Sequence, residues 1–226
     1  MTMVRKTSLP LLAASALACA SALTSTAFSQ GTIAYFQPAQ PIPVIFNPIV
    51  FPPVFYNFDV DGDGNADYQF NLADTFGVSV EPLGNNRQIA LPAIPPDLGS
   101  DLDPLPAGFE IGSSLAPTYY WVGLNSPGFA GHSRISYQLD INGNVVYGGL
   151  FHGQDAYMGI EFLISGQPHY GWVHINNPGG QAGGFILDWA YETQPGAAIL
   201  AGAVPEPSSW TLLAVGSFAV WFFRRR

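Results

Sequence analysis

The chain has 226 residues, 16 of them acidic and 7 basic, with 20 prolines, 25 glycines and one cysteine. Arg5, Lys6 and Arg224 to Arg226 lie in the two terminal segments, so residues 30–203 hold only Arg87 and Arg134 against 15 acidic residues, a net of −13. Such a surface argues against nucleic acid and anionic lipid as partners, because phosphate binding needs cations, and it suits divalent cations.

Residues 1–29 read as a secretory signal peptide. Arg5 and Lys6 form its basic start, residues 9–23 its apolar, alanine-rich middle, and Ala27-Phe28-Ser29 its small-residue cleavage site before Gln30. The run is short and rich in small residues, which argues against a membrane anchor. In Ala16-Leu17-Ala18-Cys19 the leucine is one place out of register for a lipoprotein box. The Sec machinery and signal peptidase are therefore the expected first partners. Cys19, the only cysteine, leaves with this segment. The mature chain then has no disulfide, no catalytic thiolate and no cysteine metal site. About 170 residues remain between the two terminal signals, which fits one domain spanning 30–203.

That domain opens on a proline-rich stretch, 37–53, which excludes a helix or a central strand and leaves an extended lead-in with an edge strand at 44–46. A second proline-rich stretch, 92–106, carries Asp97, Asp101 and Asp103 and reads as a long surface loop. Short runs rich in Val, Ile, Phe, Tyr and Trp predict strands at 54–58, 68–72, 77–82, 87–91, 119–124, 134–141, 144–151, 156–165, 169–175 and 184–192. Asn142-Gly143 is a strong hairpin signal, and Ser165-Gly166-Gln167-Pro168 and Pro178-Gly179-Gly180 are further turns. No amphipathic helix and no clean internal repeat interrupt this pattern. The expected fold is all-β: a single β-sandwich, jelly-roll or lectin-like, with long Pro-rich loops.

The sharpest chemical signal is Asp59-Val60-Asp61-Gly62-Asp63-Gly64-Asn65-Ala66-Asp67. Carboxylates fall at loop positions one, three, five and nine, with Gly64 at six to allow a tight turn. Calcium takes six to eight oxygens in flexible geometry. The expected ligands are Asp59, Asp61, Asp63, the backbone carbonyl of Asn65, and Asp67. An EF-hand would need a glutamate where Phe70 stands. The loop resembles those of dockerins and FG-GAP repeats, but occurring once it implies neither whole family. The expected ion is a structural Ca2+, adding stability to a domain without disulfides.

Catalytic constellations are weaker. His132, His152, His169 and His174 form no HExxH pattern, and His169 and His174, five apart on one strand, face opposite sides. His132 and Ser133 with Asp140 or Asp155 make a triad only on paper, without a Gly-x-Ser-x-Gly elbow. Glu110, Glu161 and Glu192 offer a glycosidase pair, and Trp121, Trp172 and Trp189 a sugar-stacking platform, although aromatics here are more often core. The expectation is that the domain is not an enzyme.

The chain closes on Val204-Pro205-Glu206-Pro207-Ser208-Ser209, an uncharged apolar run over 210–223, and Arg224-Arg225-Arg226. As a helix from Ser208 the apolar segment would span roughly 24 Å, short for a transmembrane helix. Trp210 and Trp221-Phe222-Phe223 suit the two membrane interfaces, and the arginines stay cytoplasmic and set topology. This ordered combination resembles the PEP-CTERM sorting signal of Gram-negative bacteria. The resemblance implies that exosortase, a membrane protease-transpeptidase, recognises Pro205, Glu206 and Pro207 and removes the tail. Tyr157-Met158-Gly159-Ile160-Glu161-Phe162, His169-Tyr170-Gly171-Trp172-Val173, Ala190-Tyr191-Glu192-Thr193 and Ile199-Leu200-Ala201-Gly202 also resemble the closing strands of PEP-CTERM cargo proteins. The chain is thus expected to be exported, anchored transiently in the inner membrane over 204–226, then delivered to the cell surface or extracellular matrix. Its expected role is a structural or interaction protein beside extracellular polysaccharide. A calcium-dependent carbohydrate-binding module is the alternative, and a hydrolase the least favoured reading.

Overall fold

Among the described residues, each stretch predicted as a strand from its β-branched and aromatic content forms one. The computed structural model describes residues 32–47, 54–74, 77–91, 100–126 and 131–205, and no helix occurs among them. The expected signal peptide and the expected C-terminal helix lie outside the described residues. No described helix is long and apolar enough to cross a membrane.

Fifteen strands follow in chain order: β1 Ile33–Phe36, β2 Ile42–Ile45, β3 Phe55–Phe58, β4 Tyr68–Asp74, β5 Gly77–Pro82, β6 Arg87–Leu91, β7 Ser100–Leu102, β8 Glu110–Ile111, β9 Trp121–Gly123, β10 Ser133–Ile141, β11 Asn144–Gly148, β12 Asp155–Ile164, β13 Gln167–Asn176, β14 Gly183–Glu192 and β15 Ile199–Leu200. Thirteen join in one sheet, ordered β1-β14-β13-β12-β6-β7-β10-β5-β4-β3, with β2 beside β14, β9 beside β6 and β11 beside β10. β15 pairs with β8 in a small second sheet.

The large sheet turns a corner at β6. Arg87 and Gln88 pair with β12, whereas Ala90 and Leu91 pair with β7. The two halves share one apolar core. Phe70, Val78, Val80 and Ile135 come from one half, and Met158, Ile160, Phe162, Val173, Ile175 and Ile186 from the other. The β12-β13-β14 meander is buried on its opposite face too. There Tyr170, Trp172 and Ala190 meet Ile89, Leu105, Ile111, Ile199 and Ala201. Burial on both faces explains why β12 and β13 read as nearly unbroken apolar runs rather than alternating ones.

Two features depart from the sequence reading. The stretch 92–106 is not a surface loop throughout: Ser100–Leu102 forms β7, and Leu102 and Leu105 are fully buried. Prolines masked the strand, but the apolar residues between them had a core to fill. The proline-rich lead-in carries its expected edge strand as β2, Ile42–Ile45, and a second edge strand, β1, precedes it at Ile33–Phe36. β1 and β2 both lie along the outer edge of β14, pairing Ile33–Phe36 with 189–192 and Ile42–Ile45 with 183–186. Pro43 is tolerated in β2 because an edge strand can spare a donor. All three predicted turns link antiparallel strands, with left-handed residues at Asn142-Gly143, Ser165-Gly166 and Gly179-Gly180.

The sheet's two ends approach one another beside the Asp59–Asp67 loop. Asn47, just after β2, donates its backbone N–H to Leu72 of β4 (2.8 Å). Trp189 of β14 donates its indole N–H to the Val60 carbonyl in the loop (3.0 Å). Its ring packs edge-on against Phe58 of β3 and stacks on Phe36 of β1.

Candidate metal centre and sorting segment

The loop is held by its own chain before any ion is considered. β3 and β4 pair up to Phe58 and Tyr68, and Asp67 donates its backbone N–H to the Phe58 carbonyl (2.9 Å). The Val60 side chain is fully buried and pins the loop to the core. Gly62 and Gly64 both take left-handed backbone angles, which reverses the chain twice within the loop. The Asp59 carboxylate accepts N–H bonds from Gly62 and Gly64, both at 2.8 Å. The Asp67 carboxylate accepts the Val60 N–H (2.9 Å) and the Asn86 side-chain amide (3.2 Å).

Asp59, Asp61 and Asp67 each place a carboxylate oxygen within 4.8 Å of the others. Asp63, a predicted ligand, is not in this group. The Asp63 carboxylate instead accepts the Asn65 backbone N–H (2.7 Å) and side-chain amide (3.2 Å). The donors that do converge are all oxygen, which suits a hard cation such as calcium and not a thiophilic metal. The charge balance points the same way. Burial, with the neighbouring Asp61 and Asp59 charges adding to it, pushes the Asp67 carboxyl up to about 6 despite the opposing hydrogen bonds. The Asp61 carboxyl is pushed up by burial and by Asp63 and Asp59.

Sequence reading missed the supports of this loop. Asn86 is nearly buried, holds both the carbonyl and the carboxylate of Asp67, and accepts the Leu163 N–H of β12 (3.2 Å). Trp189 reaches the loop from β14. Neither is near the loop in sequence, so no local spacing could reveal them. Asn86 also lines a shallow cleft with Gly84, Asn85, Arg87, Gly123, Leu124, Asn125 and Ser126.

Most of the other candidates make structural bonds, although the buried His152 Nδ1 has no hydrogen-bond partner. Arg87 makes a bidentate pair with Glu161 (2.7 and 2.5 Å), and Arg134 pairs with Asp101 (2.9 Å). Glu192 is buried and caps the Gln194 N–H, while Glu110 is exposed on β8. The Ser133 hydroxyl is buried against that of Ser100 (2.5 Å), and Asp140 accepts the Gly143 N–H. Asp155 meets His174, not Ser133 (2.6 Å). His169 is buried on the Glu192 carbonyl, on the opposite face of β13 from His174. Trp172 is buried, and Trp121 and Trp189 are packed against the two cores.

The last described strand, β15, is tied to the body at Ala201, whose N–H bonds the Phe109 carbonyl and whose carbonyl accepts the Gly108 N–H (both 2.8 Å). Val204 and Pro205 are exposed just beyond it. Glu206, Pro207 and Arg224 to Arg226 lie outside the described residues. No curated protein and no solved structure matches the chain. Residues 203–226 match the family model of the PEP-CTERM protein-sorting motif. The chain therefore ends in a PEP-CTERM motif, the signal for exosortase-dependent sorting of an exported protein.

Proposed function

We propose that residues 30–203 form a calcium-clipped structural or interaction domain of the cell surface or extracellular matrix, released from its membrane tail by exosortase. The observation that carries this reading is the sorting motif, which begins directly after the fold's last tied strand. The acidic loop supports the calcium part. Asp59, Asp61 and Asp67 would bind the ion directly. Asp63 and the Asn65 carbonyl would join after small rotations, and water would complete the shell. The ion's role would be structural, because the loop sits where the sheet's ends meet rather than beside a nucleophile.

The test is to replace Pro205, Glu206 and Pro207 by alanine and weigh the protein recovered from the cell. The tail-bearing form should accumulate in the membrane fraction; unchanged release of a shortened protein would overturn sorting through these residues.

One observation favours a second reading, a calcium-dependent, lectin-like module. Asn86 both holds Asp67 and lines the amide-rich cleft. Calcium at the loop would thereby fix the cleft's wall, and amide hydrogen-bonding groups suit sugar hydroxyls. A glycan array probed with and without chelator separates the two readings. Calcium-dependent binding lost in Asn86→Ala would favour the lectin.

A further inference from the structure

We propose that Asp155, His174 and Asp188 form a metal site apart from the Asp59–Asp67 loop, taking a borderline divalent cation such as Zn2+ on His174 Nε2 and the Asp155 carboxylate. The three residues come from β12, β13 and β14. In the sheet His174 lies opposite Tyr157 on one side and Asp188 on the other. Its Nδ1 is 3.1 Å from Asp188 Oδ1, and its Nε2 is 2.6 Å from Asp155 Oδ1. The imidazole is held in place. The Tyr157 ring stacks on it at 4.6 Å, and the other Asp188 oxygen accepts the Tyr35 hydroxyl of β1 at 2.9 Å. Burial and the Asp188 carboxylate push that hydroxyl up to about 12, so Tyr35 stays a donor. The side chains of His174 and Asp188 are 17% and 18% exposed, whereas Asp155 is 60% exposed, so solvent ions reach the cluster from the Nε2 side.

The chemistry of the ring calls for a cation at Nε2. An ionised Asp188 only accepts, so Nδ1 carries a hydrogen. Nε2 then faces a second carboxylate. Two acceptors do not approach to 2.6 Å unless a proton or a metal ion lies between them. A carboxylate on one ring nitrogen, with the other turned to a cation, is how histidine binds metals, because the carboxylate fixes tautomer and ring orientation. An imidazole nitrogen beside a carboxylate oxygen suits Zn2+ better than Ca2+, which takes oxygen alone. The metal would replace the Nε2 proton, which passes to solvent, and water would complete the shell.

Two further observations point to a ligand. The cluster is short of positive charge: Arg87 and Arg134, the only basic residues of 30–203, pair with Glu161 and Asp101 instead. Trp172, two residues before His174 on the same strand, is in ring contact with both Tyr35 and Tyr157. It is 1% exposed, and its buried indole N–H has no hydrogen-bond partner. A hydrated cation brings both the charge that the carboxylates lack and the oxygen that such a donor needs.

Calorimetric titration of the exported protein with Zn2+, in saturating calcium so that the acidic loop is already supplied, tests this. The wild type should bind zinc with a Kd of roughly 1–100 μM. His174→Gln should weaken that binding by about tenfold or more. Asp155→Ala, at an exposed position, should do the same if the glutamine variant fails to fold. Asp188 positions the ring without touching the ion, so Asp188→Asn should weaken binding by about 10–100-fold. Asp67→Asn should leave zinc affinity unchanged, which separates this site from the calcium loop. A wild type that binds no zinc below roughly 1 mM overturns the proposal. So does equal zinc affinity in the wild type and the folded His174 and Asp155 variants, or a zinc affinity that falls with Asp67→Asn.

Discussion

At the scale of single residues, the Asp59–Asp67 loop shows how a fold can strain its own charges. The Asp67 carboxyl is only partly exposed and shares a small volume with Asp59 and Asp61. Its pKa of about 6 in the fold lies above the ordinary value of 3.8, so between those limits the folded state holds a proton that the unfolded state has lost. Its contribution to stability is full below about 4 and disappears as pH rises through about 6. Calcium reverses the sense, because the ion needs the ionised form. We expect calcium to raise the melting temperature at pH 7.5, and that gain to shrink as pH falls through about 6. Asp67→Asn should abolish the gain at every pH. Scanning calorimetry with and without chelator measures both; a calcium-independent melt of the wild type would remove the metal from the account.

At the scale of strands, the two arginines of the exported domain do different work. Arg87 joins β6 to β12 next to the sheet's corner, lies over the Trp121 ring at 5.7 Å, and meets a Glu161 side chain only 5% exposed. Removing it strands a buried carboxylate. Buried pairs broken on one side cost about 3–5 kcal/mol, and the partial exposure of Arg87 lowers the expected cost of Arg87→Ala to roughly 2–3. Arg134 and Asp101 are both about 30% exposed, so Arg134→Ala should cost under about 1 kcal/mol. Urea unfolding of the two variants gives the comparison, and equal losses would refute the corner's dependence on the Arg87 pair. Tyr68 shares this corner: its buried hydroxyl lies 2.7 Å from the Arg87 carbonyl and 2.9 Å from that of Glu161, binding β4 to both strands.

At the scale of the whole molecule, one curled sheet brings its ends together where β14, β1 and the acidic loop meet. Trp189 is the tie, with its indole bond to Val60 and its ring contacts to Phe58 and Phe36. Trp189→Phe should cost about 1–2 kcal/mol, the worth of one part-buried hydrogen bond and some packing. Amide exchange should then rise together in β3 and β14; a rise confined to β14 would mean that the ends are not coupled. Much of this was readable beforehand. The tail, the acidic loop and ten central strands are local patterns of charge, turn residues and β-branched side chains, and they need no partner to be recognised. Aromatic stretches such as 169–175 announced a core strand, and Asn142-Gly143 a hairpin, because each depends only on neighbouring φ/ψ preferences. The buried strand inside the prolines at 100–102, the wiring of Asp67 through Asn86 and the separation of Asp63 from the other carboxylates were not readable. Each depends on which distant strand the folded chain lays alongside. Sequence alone therefore determined the sorting motif and the all-β class, and singled out the acidic loop. Tertiary structure decided which carboxylates converge, and that the loop stands at the junction of the sheet's ends, because burial and long-range pairing exist only once the sheet has closed.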